Sequence, residues 1–343
     1  MTNPKIGEAL HRALRRGVQV RIWLEGAPVG GIPDQERYLL DRLIKAGAEA
    51  YFLGGNKKLD WQPRYRFDHS KYTIVDEETV VIGTENYGRT GTPIDTSYGN
   101  RGYMIHIKEP NFVAQIQKVW QHDVRPETLV DVIDWKDDPR DAYGLPYRKP
   151  GFEPSFKIPT GDYRRPAKPL HLRGKVDLEL VLSPNNSLNA QNGPLAMLLR
   201  AKKTLDIEQN SIVRYWGKKK DKVRAQNLPL EAVIAAARRG VAVRVLLDGT
   251  WYNISGDNKK NNDDTVAYLN DLAAKEKLPL MAKVINLDST SLSKIHSKGI
   301  LADGKEVFVG SINWTENSFK GNREVGVIVG DRRVTGYYQR LFE

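Results

Sequence analysis

The chain of 343 residues contains no cysteine. This absence excludes disulfide bonds, cysteine nucleophiles and cysteine zinc sites, but oxidising and reducing compartments both tolerate it. No stretch approaches the roughly 18 apolar residues that a membrane-spanning helix needs. The opening residues, MTNPKIGEALHRALRRG, also lack the apolar middle of a signal peptide. The sequence given therefore indicates no transmembrane segment, and the localisation stays open.

Positive charge is in excess. The chain has 53 lysines and arginines against 42 aspartates and glutamates, a formal net charge of +11. This excess favours association with a polyanion, either nucleic acid or an acidic phospholipid surface. The alternative is a basic soluble protein without such a partner, because net charge speaks to association and not to chemistry.

The main feature of the sequence is an internal duplication. The stretches DHSKYTIVDEETVVIGTENY (residues 68–87) and IHSKGILADGKEVFVGSINW (residues 295–314) share His-Ser-Lys, an aspartate five residues on, and Gly-(Ser/Thr)-x-Asn seven residues after that. Upstream, EALHRALRRGVQVRIWLEG matches LEAVIAAARRGVAVRVLLDG, and both indicate a helix followed by a strand. The same order of elements occurs twice, which predicts two homologous halves.

Helices alternating with strands predict an α/β fold of two homologous lobes, each a mixed β-sheet flanked by helices, packed about a pseudo-twofold axis. The expected boundaries are 1–135 for the first lobe, 136–175 for a proline-rich linker and 176–343 for the second lobe. Only the second half opens with an extra strand, helix and strand. Because Gly17 matches Gly240, which lies 223 residues later (240 minus 17), the counterpart of Val176 would precede residue 1. The first lobe is expected to be incomplete at its N-terminus.

Each motif places ionisable side chains on one face of a strand. Residues two apart project together, so His69 accompanies Lys71 and His296 accompanies Lys298. The hairpin that follows returns an asparagine towards each histidine. If the halves pair, amines and amides would neutralise phosphate oxygens, while one imidazole attacks phosphorus and the other transfers protons. This set of groups suits a phosphodiester substrate.

The repeated pattern His-x-Lys-x4-Asp-x6-Gly-(Ser/Thr)-x-Asn resembles the signature of the phospholipase D superfamily, which two-lobed members carry twice. The second half, with DIEQNSIVRYWG and RRGVAVRVLLDG, looks like archaeal and bacterial phospholipase D-like proteins of cardiolipin synthase type. The resemblance implies a phosphodiesterase or phosphatidyl transferase that forms a phosphohistidine without metal or cofactor. By position it implies these catalytic residues: His69, Lys71, Asn86, His296, Lys298 and Asn313. It also implies supporting residues, two aspartates that hold turns and two hydroxyl residues that line the floor of the site: Asp76, Asp303, Thr84 and Ser311.

The two copies differ just after the motif. Aligning GNRGYMIHI with GNREVGVIV sets Gly102 opposite Glu324, so only one half supplies a carboxylate there. Similar proteins use this carboxylate to hold a histidine in one tautomer. By that resemblance, Glu324 joins the catalytic set and orients His69 across the interface, with His69 as the nucleophile and His296 as the general acid and base. A pairing of Glu324 with His296 in its own half would reverse these roles.

Two segments at strand ends are candidates for substrate binding. Lysines there could follow a nucleic-acid backbone, and aromatic rings could stack on bases or pack under an acyl chain. The alternatives are a solvated loop and aromatics that only pack. The candidate contacts are Trp216, Lys218, Lys219, Lys220, Trp251 and Tyr252. The acidic loop DNKKNNDD (residues 257–264) lacks the glycine and final glutamate of a calcium loop and is interpreted as a surface turn.

The substrate is less determined than the chemistry. Hydrolysis of nucleic-acid phosphodiesters is favoured, since the sequence offers basic loops and no membrane anchor. The alternative is hydrolysis or transfer of an anionic phospholipid, as in a phospholipase D or a cardiolipin synthase. A further alternative is an inactive module that binds polyanions. No oligomer is required, because one chain carries both motifs.

Overall fold

The structure is a computed structural model. It describes residues 1–55, 62–137, 153–154, 158–163, 167–217, 224–254 and 261–343. Within these ranges, no helix has both the length and the apolar composition needed to cross a membrane. Much of the expected linker at 136–175 lies outside them, and the boundaries of the lobes stay a prediction.

The first lobe alternates helices and short strands. Its elements are α1 (Pro4–Arg15), β1 (Arg21–Glu25), α2 (Asp34–Lys45), β2 (Glu49–Leu53), β3 (Tyr72–Val75), β4 (Thr79–Gly83), β5 (Gly99–Arg101), β6 (Met104–Ile107), α3 (Pro110–Asp123) and β7 (Val132–Asp134). They form two three-stranded sheets, in the orders β1-β2-β7 and β3-β4-β6.

The second lobe repeats this order with additional elements. They are β8 (Asp177–Ser183), α4 (Gly193–Arg200), β9 (Thr204–Gln209), β10 (Tyr215–Trp216), β11 (Ala225–Gln226), α5 (Leu228–Arg238), β12 (Ala242–Leu247), α6 (Trp251–Ile254), α7 (Asn262–Glu276), β13 (Leu280–Val284), β14 (Leu292–Ile295), β15 (Lys298–Ala302), β16 (Glu306–Gly310), α8 (Glu316–Lys320), β17 (Glu324–Gly330) and α9 (Arg332–Phe342). One seven-stranded sheet has the order β13-β12-β9-β15-β16-β17-β8. The predicted two-lobed α/β fold is confirmed.

The local sequence signals explain where the matched elements end. Helices α1 and α5 both stop before a glycine with positive φ, 84° at Gly17 and 89° at Gly240, where other residues would be strained. The predicted tight turn between β15 and β16 forms at Asp303 and Gly304, with φ of 55° and 61°. Primed turns of this kind match the twist of antiparallel strands, so each motif folds as a hairpin.

The lobes differ in how their strands join. In the second lobe, β9 lies between β12 and β15 and merges them into one sheet, and β8 pairs with β17. The described residues of the first lobe contain no counterpart of β8, α4 or β9. Its strands β1 and β3 therefore belong to separate sheets.

A shared apolar core joins the lobes. Side chains of β4, β6 and α3 pack against side chains of β15, β16, β17 and α9 in one cluster. Residues from the first lobe include Val80, Ile82 and Phe112, and those from the second include Val309 and Val327. All five are almost fully buried, so the apolar contact fixes the two motif hairpins against each other.

Candidate active site

Each histidine of the motifs is held by backbone contacts with the opposite lobe. Asp68 forms a parallel bridge with Arg323, and the N–H of His69 donates to the Arg323 carbonyl at 2.9 Å. In the mirrored arrangement, β14 pairs in parallel with β5, and the N–H of His296 donates to the Arg101 carbonyl at 2.8 Å. These reciprocal contacts are those of a pseudo-twofold arrangement.

Two carboxylates at strand ends fix the residue that precedes each histidine. Oε2 of Glu25 accepts the N–H of Asp68 at 2.6 Å, and Oδ1 of Asp248 accepts the N–H of Ile295 at 2.7 Å. Burial raises the pKa of Glu25 to about 7, although backbone donors oppose the shift. Neither carboxylate was predicted, but their matching places in RIWLEG and RVLLDG are a sequence signal for both.

The imidazoles pair with carboxylates across the interface. Nδ1 of His69 lies 2.8 Å from Oε2 of Glu324. This is the cross-lobe pairing, not the pairing of Glu324 with His296 inside one half. The hydrogen bond and the His69 and Lys71 charges outweigh burial and lower the pKa of Glu324. A carboxylate in this place favours the tautomer with hydrogen on Nδ1, which leaves the Nε2 lone pair free.

The expectation that only one half supplies such a carboxylate is wrong. Nδ1 of His296 lies 3.2 Å from Oε1 of Glu85, a residue that the sequence analysis did not select. Glu85 follows Thr84 inside the Gly-(Ser/Thr)-x-Asn segment, where the second copy has Ile312. Glu85 lies just after β4 and not at the position aligned with Glu324, so the aligned pair of Gly102 and Glu324 does not reveal it.

The two lysines make equivalent contacts. Nζ of Lys71 donates to the carbonyl of His69, and Nζ of Lys298 donates to the carbonyl of His296, each at 2.6 Å. Both lysines are buried. Burial lowers the pKa of each ammonium group, with Glu85 among the carboxylates that oppose the shift. Each Nζ has two further hydrogens with which it can bind phosphate oxygens.

The surroundings of both imidazoles disfavour their charged form. Burial lowers the pKa of His69, with Glu324 opposing and Lys71 adding to the shift. Burial also moves the pKa of His296 well below its usual value, and Lys298 and Lys294 lower it further. His69 is another group whose charge lowers the pKa of His296. Lys294 was not predicted, and it adds a cation to this region.

The two predicted hydroxyl residues make equivalent hydrogen bonds in the two lobes. Oγ1 of Thr84 accepts the N–H of Tyr103 at 2.9 Å, and Oγ of Ser311 accepts the N–H of Val325 at 3.0 Å. Both hydroxyl residues are fully buried. They fix the backbone just after positions 102 and 324, which is a supporting role beneath the imidazole pairs.

The carboxamides are placed less symmetrically. The Asn86 side chain is exposed and the Asn313 side chain is half-buried. The buried oxygen of Asn313 has no hydrogen-bond partner among the described residues. Gln209 is also fully buried, and its amide atoms have no hydrogen-bond partner among the described residues. It stands opposite Lys298 in the pairing of β9 with β15. Sequence analysis missed Gln209, since no repeat marks it.

The turn aspartates lie away from the imidazoles. Asp303 is at the far end of β15 from His296, and its carboxylate accepts the N–H groups of Lys202, Lys203 and Thr204 at 2.6–3.1 Å. Asp76 occupies the equivalent turn, with φ of 53°, and is exposed.

The predicted substrate contacts have different outcomes. Trp216 is 2% exposed and packs against Phe319, so the prediction that its ring contacts substrate is wrong for this structure. Its neighbours in the core exclude it from the surface. The lysines of the adjacent loop, Lys218, Lys219 and Lys220, lie outside the described residues. Trp251 is 73% exposed and forms an edge contact with Tyr252.

Helix α6, which carries these aromatics, is attached to the site. The Asn253 amide donates to Oδ2 of Asp248 at 2.8 Å, and the other oxygen of Asp248 holds Ile295. Trp251 therefore lies on a helix that is linked through Asp248 to Ile295, the residue before His296. Within the described ranges, no group of three or more histidine, cysteine, aspartate and glutamate side chains is arranged to hold a metal ion.

Comparison with known proteins agrees with this geometry. A family model described as "Cardiolipin synthase, PLD-like domain" matches residues 1–124 and 194–343. The mitochondrial cardiolipin hydrolase of Xenopus tropicalis is 31% identical over 112 residues, which are 33% of this chain and 45% of that protein. The chain therefore matches less than half of the length of this curated relative.

Two solved structures share the fold over nearly the whole chain. Phosphatidylserine synthase of Haemophilus influenzae Rd KW20 covers 98% of this chain and 75% of its own, with a TM-score of 0.62 and 10% identity. Polyphosphate kinase of Porphyromonas gingivalis covers 98% of this chain and 40% of its own, with a TM-score of 0.54 and 12% identity. At these identities the likeness concerns the fold. Because the family model matches both lobes and most of the chain, and both motif copies meet in one site, the chain belongs to the phospholipase D superfamily, in the family of cardiolipin synthase, PLD-like domains.

Proposed function

We propose that this chain is a metal-independent phosphodiesterase that acts through a phosphohistidine, with His69 as the nucleophile and His296 as the general acid and base. The observation that carries the proposal is the pair of imidazoles, each held at Nδ1 by a carboxylate of the opposite lobe. Burial lowers the pKa of both imidazoles, which favours their neutral form. A neutral imidazole with a free Nε2 lone pair is the form that can attack phosphorus.

The proposed reaction has two steps. Nε2 of His69 attacks phosphorus, the bond from phosphorus to the leaving oxygen breaks, and protonated His296 gives its proton to that oxygen. Neutral His296 then takes a proton from water, the water oxygen attacks phosphorus, and the bond from phosphorus to His69 breaks. Lys71 and Lys298 bind the non-bridging oxygens throughout and stabilise the charge of the transition state. An incoming phosphate charge would raise the pKa of His296 towards the protonated form that the first step needs.

The proposed nucleophile is the more accessible imidazole. The His69 side chain is 28% exposed and that of His296 is 8% exposed. Its hydrogen bond to carboxylate is also the shorter one, 2.8 Å against 3.2 Å. These differences favour His69 as the group that attacks a substrate phosphate.

Nucleic acid is the favoured substrate. The net charge of +11 would attract a polyanion. The exposed ring of Trp251, on the helix tied to the His296 strand, offers a face on which a base could stack. A second exposed feature of the same lobe is Arg214, whose guanidinium stacks on Tyr268 at 3.5 Å and on Tyr215 at 4.8 Å. Stacked arginine and tyrosine side chains of this kind suit a single strand.

An anionic phospholipid is the second candidate. The observations in its favour are the description of the matching family as cardiolipin synthase and the relative named as a cardiolipin hydrolase. The imidazole and lysine chemistry would be the same, and the acceptor would be water for hydrolysis or an alcohol for transfer.

The test compares three substrates in excess chelator: bis-p-nitrophenyl phosphate, single-stranded DNA and phosphatidylglycerol vesicles. We expect cleavage of the first two by the wild type, and none by a folded His69→Ala variant. Lipid turnover without DNA turnover would end the preference for nucleic acid. No turnover of any substrate by folded protein would overturn the proposed activity in favour of a binding module.

A further inference from the structure

The residue of the first lobe that is equivalent to Glu324 is Gly102, which has no side chain. A Cβ built on Gly102 would collide with Cγ, Cδ and Oε1 of Glu85. The carboxylate of Glu85 therefore occupies the space that a side chain at position 102 would need. The glycine is required here by the close approach of another side chain and not by its own backbone conformation.

The groups that surround the two carboxylates match. Nδ2 of Asn100 donates to Oε2 of Glu85 at 2.8 Å, and Nδ2 of Asn322 donates to Oε1 of Glu324 at 2.9 Å. Asn100 and Asn322 are the equivalent residues of the two copies, in GNRG and GNRE. Equivalent amides thus support the two carboxylates, although the carboxylates come from different positions in the two copies.

The two copies differ in a complementary way at these two positions. The first copy has Glu85 and Gly102, whereas the second copy has Ile312 and Glu324 at the same two places. Ile312 is buried in the core of the second lobe. An apolar residue at the position of Glu85 is therefore compatible with this hairpin when the other position carries the carboxylate.

We propose that Glu85 is the positioning residue of His296, a carboxylate supplied by the Gly-(Ser/Thr)-x-Asn segment instead of by position 102. It accepts the Nδ1 hydrogen of His296 and so leaves Nε2 as the nitrogen that exchanges protons with the leaving oxygen and with water. It also stabilises the imidazolium that exists before the proton is given up. The proposal rests on the proposed function for its catalytic consequence, but the hydrogen bond and the tautomer do not depend on turnover.

The first experiment measures the tautomer directly. The chain has six histidines, so long-range proton–nitrogen spectra of imidazole-labelled protein can be assigned by single substitutions. In the wild type at neutral pH, we expect His296 to carry its hydrogen on Nδ1. In Glu85→Ile, which leaves no acceptor at this position, we expect this preference to be lost while that of His69 is retained. An Nδ1 hydrogen on His296 that is unchanged in Glu85→Ile would overturn the proposal.

The second experiment moves the carboxylate back. Glu85→Ile in combination with Gly102→Glu gives the first lobe the residues of the second. On bis-p-nitrophenyl phosphate we expect kcat to fall about 10²-fold or more in Glu85→Gln and in Glu85→Ile, with KM changed less than about threefold. The double variant should recover kcat to within about tenfold of the wild type and restore the Nδ1 tautomer. Gly102→Glu alone should be the least stable variant, because both carboxylates then compete for one space.

Thermal unfolding separates these effects from misfolding. If the double variant melts with the wild type but has neither the Nδ1 tautomer nor more activity than Glu85→Ile, the proposal is wrong. If the wild type itself cleaves no phosphodiester, the proposed function fails while the spectra still decide the role of Glu85. The two failures are therefore distinguishable.

Discussion

The two halves of the site reach the same contacts by different sequences. In one half, the carboxylate that holds the opposite histidine follows the Asn-Arg pair as Glu324; in the other, it comes from Glu85, and Gly102 leaves room for it. The supporting amide, the hydroxyl clamp and the lysine contact are the same in both. The two copies therefore share the position of a charge in space and not its position in the chain.

The halves also differ in the surroundings of these equivalent contacts. The pKa of Glu324 is lowered by His69 and Lys71 despite burial, whereas burial raises the pKa of Glu85, with Lys298 opposing. The Glu324 carboxyl group is therefore the more firmly ionised of the two carboxyl groups. This difference supports one histidine as a fixed nucleophile and the other as the group that changes its protonation state.

The largest expected effect separates the two histidines. His69→Ala should abolish all release of nitrophenolate from bis-p-nitrophenyl phosphate, because no nucleophile remains. His296→Ala should release about one equivalent per site and then stop, since nitrophenolate leaves without a general acid but water cannot be activated. Rapid-mixing absorbance measures the burst, and mass spectrometry locates the adduct.

The control for this pair is His106→Ala, a histidine of β6 outside the motifs. It should turn over at the wild-type rate. A burst in His69→Ala with phosphate attached to His296 would exchange the roles of the two halves.

A smaller effect tests the Glu324 half through pH. Glu324→Gln should lower kcat about 10²-fold to 10⁴-fold, because the tautomer and the imidazolium lose their partner. Burial and the Lys71 charge lower the pKa of His69, whereas Glu324 raises it. Removal of the Glu324 charge should therefore lower the pKa of His69 further. Since neutral His69 attacks, the acid limb of the kcat/KM profile should move to lower pH.

A matched control for this variant is Glu306→Gln, which removes the surface ion pair with Arg200 at 2.7 Å. Its pH profile should coincide with that of the wild type. An acid limb that stays in place in Glu324→Gln, with activity lost, would indicate that Glu324 only supports the fold.

Much of this arrangement could be predicted from the sequence because it follows from periodicity. The repeated helix, strand and hairpin gave both lobes, and the spacing of His69 from Lys71 gave their common face. Glu85 could not be found in this way, because its contact is with the opposite lobe and no equivalent residue repeats it. The prediction for Trp216 is wrong because it rested on a place at a strand end, whereas the packing with Phe319 that buries the ring depends on tertiary structure.

A third prediction compares the two supporting amides. Asn100→Ala and Asn322→Ala each remove one hydrogen bond to a buried carboxylate, at 2.8 and 2.9 Å. Bonds to charged groups contribute roughly 1.5–3 kcal/mol, and we expect kcat to fall about tenfold in each variant, to within about threefold of one another. Steady-state kinetics on the small substrate measures this. A loss in Asn322→Ala alone would mean that the Glu85 half contributes little to catalysis.

The smallest expected effect concerns the turn aspartates and leaves activity unchanged. Asp303 accepts three backbone N–H groups at the start of β9, whereas Asp76 is exposed in a lobe whose described residues lack that strand. Asp303→Ala should therefore lower the free energy of unfolding by about 1–2 kcal/mol, and Asp76→Ala by less than about 0.5 kcal/mol. Partial burial acts to raise the pKa of Asp303, but the backbone donors outweigh it and lower that pKa.

A lowered carboxyl pKa contributes stability that is present above the unfolded pKa of about 3.9 and is lost as the pH falls through the folded pKa. The difference between wild type and Asp303→Ala in urea unfolding should therefore be full at pH 7 and shrink in more acid solution. Equal losses of unfolding free energy in the two variants would mean that the aspartate stabilises the turn itself and not the contact with β9. The structural difference between the lobes would then have no effect on stability at this position.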